Sequence, residues 1–412
     1  MKKLTGACII GQSGGPTSVI NASALGAFEA ALDAPEITRV LGAAHGIRGV
    51  IDEVLYDIGK EDRTELRHLM YTPSSALGSC RYKIKDPSVD SADYLRILET
   101  FEKHDVRYFF YNGGNDSMDT CNKISKFMLA NDYECRVMGI PKTIDNDLTG
   151  TDHCPGFGSA AKFVATAFME VSLDARVYDY GMVTIVEVMG RNAGWLTAAS
   201  ALASGKGLGP DLIYLPEIAF DMDAFLGDVD AVYKKTGKCL VAVSEGIKDK
   251  AGNLVSENSR AMAKDGFGHA QLGGLAAMLS NAVQEKTGAK KVRGIELSLL
   301  QRCASHVASA TDIAESHMAG KAAVQSAVAG ITDKMAGFAC DRLNGYQCEI
   351  RLFDLAEVAN TEKTIPREWI SADGRGVRQA FIDYALPLIQ GETGQAKEDG
   401  LPRFANLRKI RV

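Results

Sequence analysis

Short apolar segments alternate with longer amphipathic segments along most of this chain. The apolar segments are nearly continuous in hydrophobic residues, as in GACII (6–10), VRYFFY (106–111) and MVTIVEV (182–188). Strands that are buried on both faces of a sheet have this composition. Helical spacing follows in SVINASALGAFEAAL (18–32) and in MDTCNKISKFMLA (118–130). The repeated order of strand, turn and helix predicts an α/β fold with mainly parallel sheets.

Glycine-rich turns follow most of the apolar segments. The same pattern predicts further strands at RVMGI (136–140), DLIYL (211–215), KCLVAV (238–243) and VRGIEL (292–297), and further helices over 270–286 and 309–330. In parallel sheets, ligands bind beyond the carboxyl ends of the strands. We therefore expect the binding residues of this protein in the turns that follow its strands.

Length and charge narrow the class of protein. A chain of 412 residues is too long for one hydrophobic core, so two domains are expected. The net charge of -6 argues against nucleic-acid binding.

The apolar runs are too short to span a bilayer, and the N-terminal segment lacks the apolar stretch of a signal peptide. Nine cysteines without a C-x-x-C motif predict reduced thiols. We expect a cytoplasmic protein that does not bind a membrane.

Two glycine-rich turns have the form of anion sites. GQSGGPTSVINAS (11–23) follows a strand and begins a helix, so its free N–H groups suit a phosphate. It matches neither the Walker motif nor the dinucleotide motif, and a simple tight turn is the alternative. YNGGNDSMDT (111–120) has the same arrangement, but Asp116 adds a negative charge where an anion would bind.

The segment PKTIDND (141–147) is the densest in chemical groups. It presents Lys142, Thr143, Asp145 and Asp147 within six residues. If the segment is extended, the two aspartates point the same way. One could then accept a proton from a hydroxyl group while the other holds Mg²⁺. The alternative is a solvated turn, for which Asp-Asn-Asp is suitable.

Other charged residues lie at further strand ends. Arg191 could grip a phosphate or form a surface salt bridge, and Glu245 could accept a sugar hydroxyl or cap a helix. Arg293 and Arg302 bracket GIELSLL if that segment is a strand. Arg81 lies beside a glycine and a serine. Each motif has a structural alternative, but together they favour phosphate chemistry.

Together these motifs resemble the 6-phosphofructokinase family. SGG…NA, GS-x-R, GG-x-D-S, TIDND, GTD…GF, EVMGR, a strand-end glutamate and QR occur in the family's order over about residues 5–315. The resemblance implies two similar three-layer domains with mainly parallel sheets and an active site in the cleft between them. It implies a phosphoryl-donor domain of residues 1–158 and about 301–355, and a fructose-6-phosphate domain of residues 159–300 and about 356–412.

The resemblance also implies roles for individual residues. Asp145 matches the base that takes the proton of the C1 hydroxyl of fructose 6-phosphate, and Lys142, Asp116, Arg191 and Thr143 complete the catalytic set. The residues that match sugar-phosphate contacts are Thr143, Asp145, Asp147, Met189, Gly190, Arg191, Glu245 and Arg302, with Arg293 reaching across from a neighbouring subunit of a homodimer or homotetramer. The residues on the donor side are Gly14, Gly15, Arg81, Asp116 and Lys142. The residues expected to hold Mg²⁺ are Asn115, Asp116 and Asp147, although the family usually has aspartate in place of Asn115.

Two positions bear on the phosphoryl donor. Members that use ATP typically have glycine at the positions of Asp116 and Lys142, whereas members that use inorganic pyrophosphate have aspartate and lysine, as here. A carboxylate at 116 would repel the α-phosphate of ATP. The resemblance therefore implies reversible transfer from pyrophosphate to fructose 6-phosphate. An ATP-dependent kinase and a non-catalytic regulatory subunit are the alternatives.

Overall fold

The computed structural model describes residues 4–256 and 274–412, and the chain divides into two compact units. Unit 1 comprises Met1–Ser159, Ser305–Glu362 and Gly391–Val412, and unit 2 comprises Ala160–Ala304 and Lys363–Gln390. Both units are therefore assembled from segments that are far apart in the sequence.

Strands and helices alternate over most of the chain. The strands are β1 (Gly6–Gln12), β2 (Ile37–Ala43), β3 (Leu55–Asp57), β4 (Val106–Gly113), β5 (Arg136–Pro141), β6 (Met182–Val188), β7 (Leu212–Tyr214), β8 (Lys238–Ser244), β9 (Val292–Glu296), β10 (Lys334–Asp341), β11 (Gln347–Asp354), β12 (Lys397–Glu398) and β13 (Leu401–Pro402). The helices are α1 (Ile20–Asp33), α2 (Ile47–Ile51), α3 (Arg63–His68), α4 (Ala92–Lys103), α5 (Asn115–Ala130), α6 (Phe157–Arg176), α7 (Trp195–Ala199), α8 (Met222–Thr236), α9 (Leu275–Lys286), α10 (Leu300–Cys303), α11 (Ala310–Val328), α12 (Leu355–Val358) and α13 (Gln379–Ala385).

Unit 1 is built on one large sheet. Over the described residues its strand order is β11-β10-β5-β4-β1-β2-β3, with antiparallel pairing at the two edges and parallel pairing elsewhere. Ile9 and Phe109 pack into the core on the side of α2, α4 and α5, and Ile10 and Phe110 pack into the core on the side of α1 and α11. Successive strand residues point to opposite faces, so burial on both faces explains the continuous apolar segments.

Unit 2 is built on a smaller, parallel sheet. Its strand order over the described residues is β7-β8-β6-β9. Val183 and Val241 from the central strands pack with Phe225 of α8 and Leu279 of α9 in one apolar cluster. The predicted α/β class with mainly parallel sheets is therefore confirmed, although the two sheets differ in size.

Most predicted elements occur within a few residues of their expected positions, including the strand at VRGIEL, which is observed as β9. The segment GIELSLL is not a strand throughout, because β9 ends at Glu296 and α10 begins at Leu300. The helix expected over 270–286 is observed from Leu275, and residues 270–273 lie outside the described residues. Among the described residues, none of the helices combines the length and the apolar character that crossing a membrane requires.

The C-terminal segment differs from the expected domain division. Residues 356–412 were expected with the second domain, but Gly391–Val412 belongs to unit 1. The reason is backbone pairing at the edge of the large sheet, where Asp57 N–H donates to the carbonyl of Ile410 at 2.9 Å. Glu61 also accepts hydrogen bonds from the backbone of this segment. The order of elements along the chain does not predict that the C-terminal segment pairs with the sheet of unit 1.

Candidate active site

Three neighbouring strands of unit 1 end at the same edge of the sheet, and each is followed by a predicted binding turn. The register pairs Gln12 of β1 with Asn112 of β4, and Gly113 of β4 with Pro141 of β5. Because these strands are parallel, the turns after β1, β4 and β5 meet at their carboxyl ends. This is the edge at which we expected the donor-side residues.

Lys142 lies against the first glycine-rich turn. Its side chain is only 3% exposed, and Nζ donates a hydrogen bond to the carbonyl of Gly15 at 2.5 Å. Gly14 has a φ of +75°, and a Cβ atom there would be 3.2 Å from the lysine nitrogen. The structure thus brings Gly14, Gly15 and Lys142 together and fixes a cation at a turn suited to phosphate.

The segment that contains Arg81 reaches the same turn. Ser79 Oγ donates to the carbonyl of Gly14 at 2.6 Å, and the N–H of Gly14 donates to the carbonyl of Cys80 at 3.3 Å. Arg81 follows directly and has an exposed side chain. Its predicted place beside Gly14 and Gly15 therefore agrees with the backbone contacts.

Two buried amides that the sequence analysis missed hold this segment in place. Gln12 Oε1 accepts from Leu77 N–H at 2.9 Å, and Asn21 Oδ1 accepts from Ala76 N–H at 2.8 Å. Both amides are fully buried, and Gln12 Nε2 donates to Asn21 Oδ1 at 2.9 Å. Gln12 could have been identified from the sequence, because it is a polar residue at the end of an apolar strand.

Asp116 lies in the first turn of α5, where the helix dipole favours a carboxylate. Its Oδ1 is 3.1 Å from Nζ of Lys83, and both side chains are partly exposed. Lys83 was not predicted as a site residue, although it lies two positions after Arg81. The carboxylate at 116 is therefore partly balanced by a lysine of the same unit.

Asn115, which the family resemblance places in the metal set, is engaged in hydrogen bonds within unit 1. Its Oδ1 accepts from the N–H of Asn360 at 2.6 Å, and its Nδ2 donates to the carbonyl of Thr361 at 2.5 Å. Both polar atoms of the amide thus link the start of α5 to residues 360–361. These bonds give Asn115 a structural role in unit 1, and its binding of a metal stays a prediction.

The TIDND segment is a turn, so the extended conformation considered above is wrong. Asn146 has a φ of +55°, and its buried Oδ1 accepts from Cys154 N–H at 2.9 Å. Thr143 Oγ1 accepts from Asp145 N–H at 3.1 Å. The buried amide fixes the turn between the two aspartates and keeps Asp145 and Asp147 in electrostatic contact.

Asp147 has the properties of a cation ligand. Burial, with the neighbouring charge of Asp145 as a second cause, raises the pKa of Asp147 to about 7. Its Oδ1 is buried and has no hydrogen-bond partner among the residues that the structure describes. A buried carboxylate oxygen without a donor is costly, and Mg²⁺ prefers such oxygen ligands. The residues present therefore fit a divalent cation.

A second group of predicted residues assembles in unit 2, at the carboxyl ends of β6 and β8. The N–H of Gly190 donates to Glu245 Oε1 at 3.3 Å, and the N–H of Met189 donates to Gln301 Oε1 at 3.2 Å. Gly190 has a φ of +144°, and a Cβ atom there would lie 2.6 Å from the carbonyl oxygen of Ala193. Gln301 is buried and was missed as a positioning residue.

Glu245 is the acidic residue of this group and lies near two arginines. Burial raises its pKa to about 7, and the nearby cations Arg191 and Arg302 only partly oppose this shift. Two guanidinium groups around one carboxylate provide donors for a phosphate and an acceptor for a hydroxyl group. Unit 2 thus contains Met189, Gly190, Arg191, Glu245 and Arg302 in one place.

Arg293 is not part of this group within the chain. It is the second residue of β9 and pairs in register with Thr184, well before the carboxyl ends of the strands. Its Nη1 is 3.0 Å from Asp174 Oδ2. The structure does not bring Arg293 to Arg302, and its expected contact across subunits stays a prediction.

Comparisons with known proteins agree with this geometry. The family described as Phosphofructokinase matches residues 7–327. Two relatives named pyrophosphate--fructose 6-phosphate 1-phosphotransferase are similar over nearly their whole length. The protein of Methylococcus capsulatus is 43% identical over 97% of this chain and 96% of its own, and that of Xanthomonas campestris is 44% identical over 99% and 97%.

The fold comparison gives the same result. The crystal structure of a pyrophosphate-dependent phosphofructokinase from Marinobacter aquaeolei superimposes with a TM-score of 0.88 at 40% identity, covering 98% of this chain and 97% of that one. The family match covers well over half of the residues, and the relatives match almost the full chain. The chain therefore belongs to the phosphofructokinase family.

Proposed function

We propose that this protein transfers a phosphoryl group reversibly from inorganic pyrophosphate to the C1 hydroxyl of D-fructose 6-phosphate, giving fructose 1,6-bisphosphate and phosphate. The observation that carries the proposal is the pair of charges on the donor side, Asp116 in the first turn of α5 and buried Lys142 against Gly15. The names of the relatives from Methylococcus and Xanthomonas support it.

The proposed reaction gives roles to the predicted catalytic and binding residues. Asp145 accepts the proton of the C1 hydroxyl, whose oxygen attacks a phosphorus atom of pyrophosphate. The bond to the departing phosphate breaks, and Lys142 stabilises the charge that develops on it. Arg191 and Arg302 hold the 6-phosphate, and Glu245 accepts a sugar hydroxyl. Most of the catalysis then comes from positioning and charge stabilisation.

We assign Mg²⁺ to Asp147 and Asp116. The unpartnered buried oxygen of Asp147 supports this assignment, and Asn115 is left out because its amide is already engaged. When bound, the cation neutralises charge on the diphosphate. The carboxylate of Asp147 must be ionised to hold it, so proton loss at this residue accompanies metal binding.

The same charges explain why ATP would be a poor donor. A carboxylate at 116 is expected to meet the α-phosphate of ATP, and like charges at close range are unfavourable. Pyrophosphate ends before that position. Lys83 balances Asp116 in part, which holds the carboxylate in place without removing its negative charge from the first turn of α5.

A comparison of donors tests the proposal. The purified chain should phosphorylate fructose 6-phosphate with pyrophosphate and use ATP poorly or not at all. An ATP-dependent kinase would show the opposite preference, and a regulatory subunit would use neither donor. High phosphate with fructose 1,6-bisphosphate should yield pyrophosphate. Failure to detect this reverse reaction would contradict the donor assignment.

Substitutions at the two donor-side residues sharpen this test. Asp116→Gly should gain ATP activity and lose pyrophosphate activity, because it removes the repulsive group and a proposed metal ligand. Lys142→Gly should lower kcat with pyrophosphate more than it changes KM, as expected for a group that acts on the transition state. The measurement is kcat/KM for both donors in the two variants and the double variant. Unchanged donor preference in Asp116→Gly would refute the role of Asp116.

A further inference from the structure

A cluster of sulfur, imidazole and carboxylate groups lies in unit 1 outside the proposed catalytic set. It joins the β10–β11 hairpin to α11 and to the loop after the TIDND turn. Its members are Asp152, His153, Glu315, Cys340, Arg342, Tyr346 and Cys348. The proposed transfer reaction uses none of them.

Two cysteines of this cluster are placed for a disulfide. Cys340 and Cys348 lie directly opposite each other in the antiparallel pair of β10 and β11. Opposed residues in such a pair have Cα atoms about 4.5–5.5 Å apart, which lies within the range of disulfides. The two thiols are hydrogen-bonded, and both residues are half-buried. The register of the hairpin therefore places the two cysteines within the Cα separation of disulfides.

His153 activates one of the two thiols. Its Nδ1 is 3.8 Å from Cys340 Sγ and 3.0 Å from Asp152 Oδ1, and its Nε2 is 2.7 Å from Glu315 Oε2. Burial opposes a charge on this imidazole, but the hydrogen bonds to Asp152, Cys340 and Glu315 raise its pKa well above the usual value. The carboxylates at both ring nitrogens therefore favour the protonated form of the imidazole beside the sulfur.

The surroundings of the two thiols shift their pKa values in opposite directions. The hydrogen bond from Cys348, followed by the effect of His153, lowers the pKa of Cys340 to about 6 against the effect of burial. The same hydrogen bond raises the pKa of Cys348. Tyr346 also faces Cys340, at 3.6 Å, but its hydroxyl donates to Glu315 at 2.6 Å. Cys340 is thus the nucleophile and Cys348 its partner.

We propose that Cys340 and Cys348 are a redox modification site that closes to an intrachain disulfide in the presence of a peroxide. The thiolate of Cys340 attacks one peroxide oxygen and the O–O bond breaks. Cys340 becomes a sulfenic acid, and the departing hydroxide takes up the proton that the Cys340 thiol had released, which gives water. The sulfur of Cys348 then attacks the Cys340 sulfur and displaces the second water. Two thiols and one hydrogen peroxide give one disulfide and two waters, and a dithiol reductant reverses the step.

A metal site is the competing use of these groups. Ligand atoms of Asp152, His153 and Cys340 lie within 4.8 Å of one another. However, both ring nitrogens of His153 already face carboxylates, and Arg342 binds both oxygens of Asp152 at 2.8 Å. An imidazolium has no lone pair for a metal. The arrangement therefore favours thiol chemistry.

The chain allows a direct test, because trypsin cleaves after Arg342, between the two cysteines. The folded protein is treated with hydrogen peroxide at pH 7, its remaining thiols are alkylated, and the digest is analysed by mass spectrometry. We expect residues 335–342 linked to residues 343–351, and loss of the link after dithiothreitol. Cys303→Ser is the matched control, because it removes an exposed cysteine and should leave the link intact. Cys348→Ser should trap Cys340 as a sulfenic acid that dimedone labels.

The rate of linking tests the role of His153. In the intact protein the rate should change little between pH 7 and pH 9, whereas His153→Asn should be about tenfold slower at pH 7 and recover toward pH 9. In urea-unfolded protein, the disulfide should form more slowly at pH 7 than it does in the folded protein. The proposal fails if the linked peptides are absent when Cys303 is already oxidised, or if folded and unfolded protein link equally fast. It also fails if the purified protein contains zinc that blocks alkylation of Cys340.

Discussion

At the scale of single residues, Glu245 couples folding to pH. Its pKa is about 7 in the folded protein and 4.5 in an unfolded chain. Between these values the folded state binds more protons than the unfolded state. The free energy of unfolding contributed by Glu245 therefore falls as pH rises through this window and is constant above it.

This fall in the free energy of unfolding with rising pH gives a prediction for Glu245→Gln. Relative to the wild type, the variant should become more stable by up to about 3 kcal/mol on going from pH 5 to pH 8, because it has no carboxylate to ionise. Urea unfolding at the two pH values measures the difference. The exposed Glu285→Gln is the control. If the free energy of unfolding of both variants changed equally with pH, burial would not destabilise the ionised form of Glu245.

Asp145→Asn is the corresponding prediction for catalysis. We expect kcat to fall by about 10²–10⁴ because the proton acceptor is lost, while the amide keeps the size of the side chain. Binding of fructose 6-phosphate, measured by calorimetry, should change little. Asp132→Asn, in the exposed turn after α5, should have no effect on kcat. A fall in kcat of less than about tenfold would exclude Asp145 as the base.

Residue types at strand ends identified most of the candidate site, but not the residues that position it. Lys142 and Glu245 were recognisable because a charge at the end of an apolar strand is unusual. Gln12 and Lys83 were not, because their partners lie about 30 to 65 residues away in the sequence. The hydrogen bonds of Asn115 to residues 360–361 could not be predicted either, because these partners lie about 245 residues away in the sequence.

At the scale of elements, α1 and α11 approach closely because each has a glycine at the contact. A Cβ atom at Gly26 would lie 2.1 Å from the carbonyl oxygen of His317, and one at Gly320 would lie 1.9 Å from that of Ser23. These distances leave no room for a methyl group against backbone atoms. The helix pair covers one face of the large sheet and depends on these two positions.

Gly320→Ala should therefore destabilise the protein, by about 1–3 kcal/mol as for other overpacked sites. The control is Gly227→Ala in α8, where a Cβ atom would meet nothing within 4 Å. There alanine should stabilise by up to about 1 kcal/mol through its helix propensity. Thermal unfolding of both variants gives the comparison. A stabilising effect of Gly320→Ala would mean that the helices separate without cost.

Elements buried on both faces were predictable from the sequence, and elements at the edges were not. β4 and β6 are continuous apolar runs, and both occur where expected. β11 alternates between exposed and half-buried residues at the edge of its sheet, so its sequence EIRLFD has no continuous apolar run. An edge strand of this kind is recognised only after its partner β10 is known.

At the scale of the whole molecule, we expect a homo-oligomer in which Arg293 serves a neighbouring subunit. Mixing two inactive variants tests this. Asp145→Asn and Arg293→Ala should each lose activity, and co-refolded subunits should recover about a quarter of the wild-type activity, because one site in each hybrid dimer then keeps both residues. Co-refolding each variant with itself is the control. If the mixture stays inactive, Arg293 does not act across subunits.

The division of the chain into units was the least predictable feature. The turn motifs indicated two sheets, but the last segment showed no apolar pattern that would assign it. Its place in unit 1 depends on backbone pairing with β3, a strand of three residues that the sequence does not predict. Hydrogen bonds between backbones carry no residue preference that could be read in advance.

The strand order of unit 1 has a consequence for synthesis on the ribosome. β5 pairs with β10, which follows it by roughly 190 residues. At ~5–20 residues per second, this partner emerges on the order of 10–40 s later. Until then the nascent chain presents an unpaired, apolar strand edge, which is the kind of surface that promotes aggregation. Slow elongation or a shortage of chaperones should therefore reduce the yield of this protein more than that of proteins whose sheets are completed by neighbouring segments.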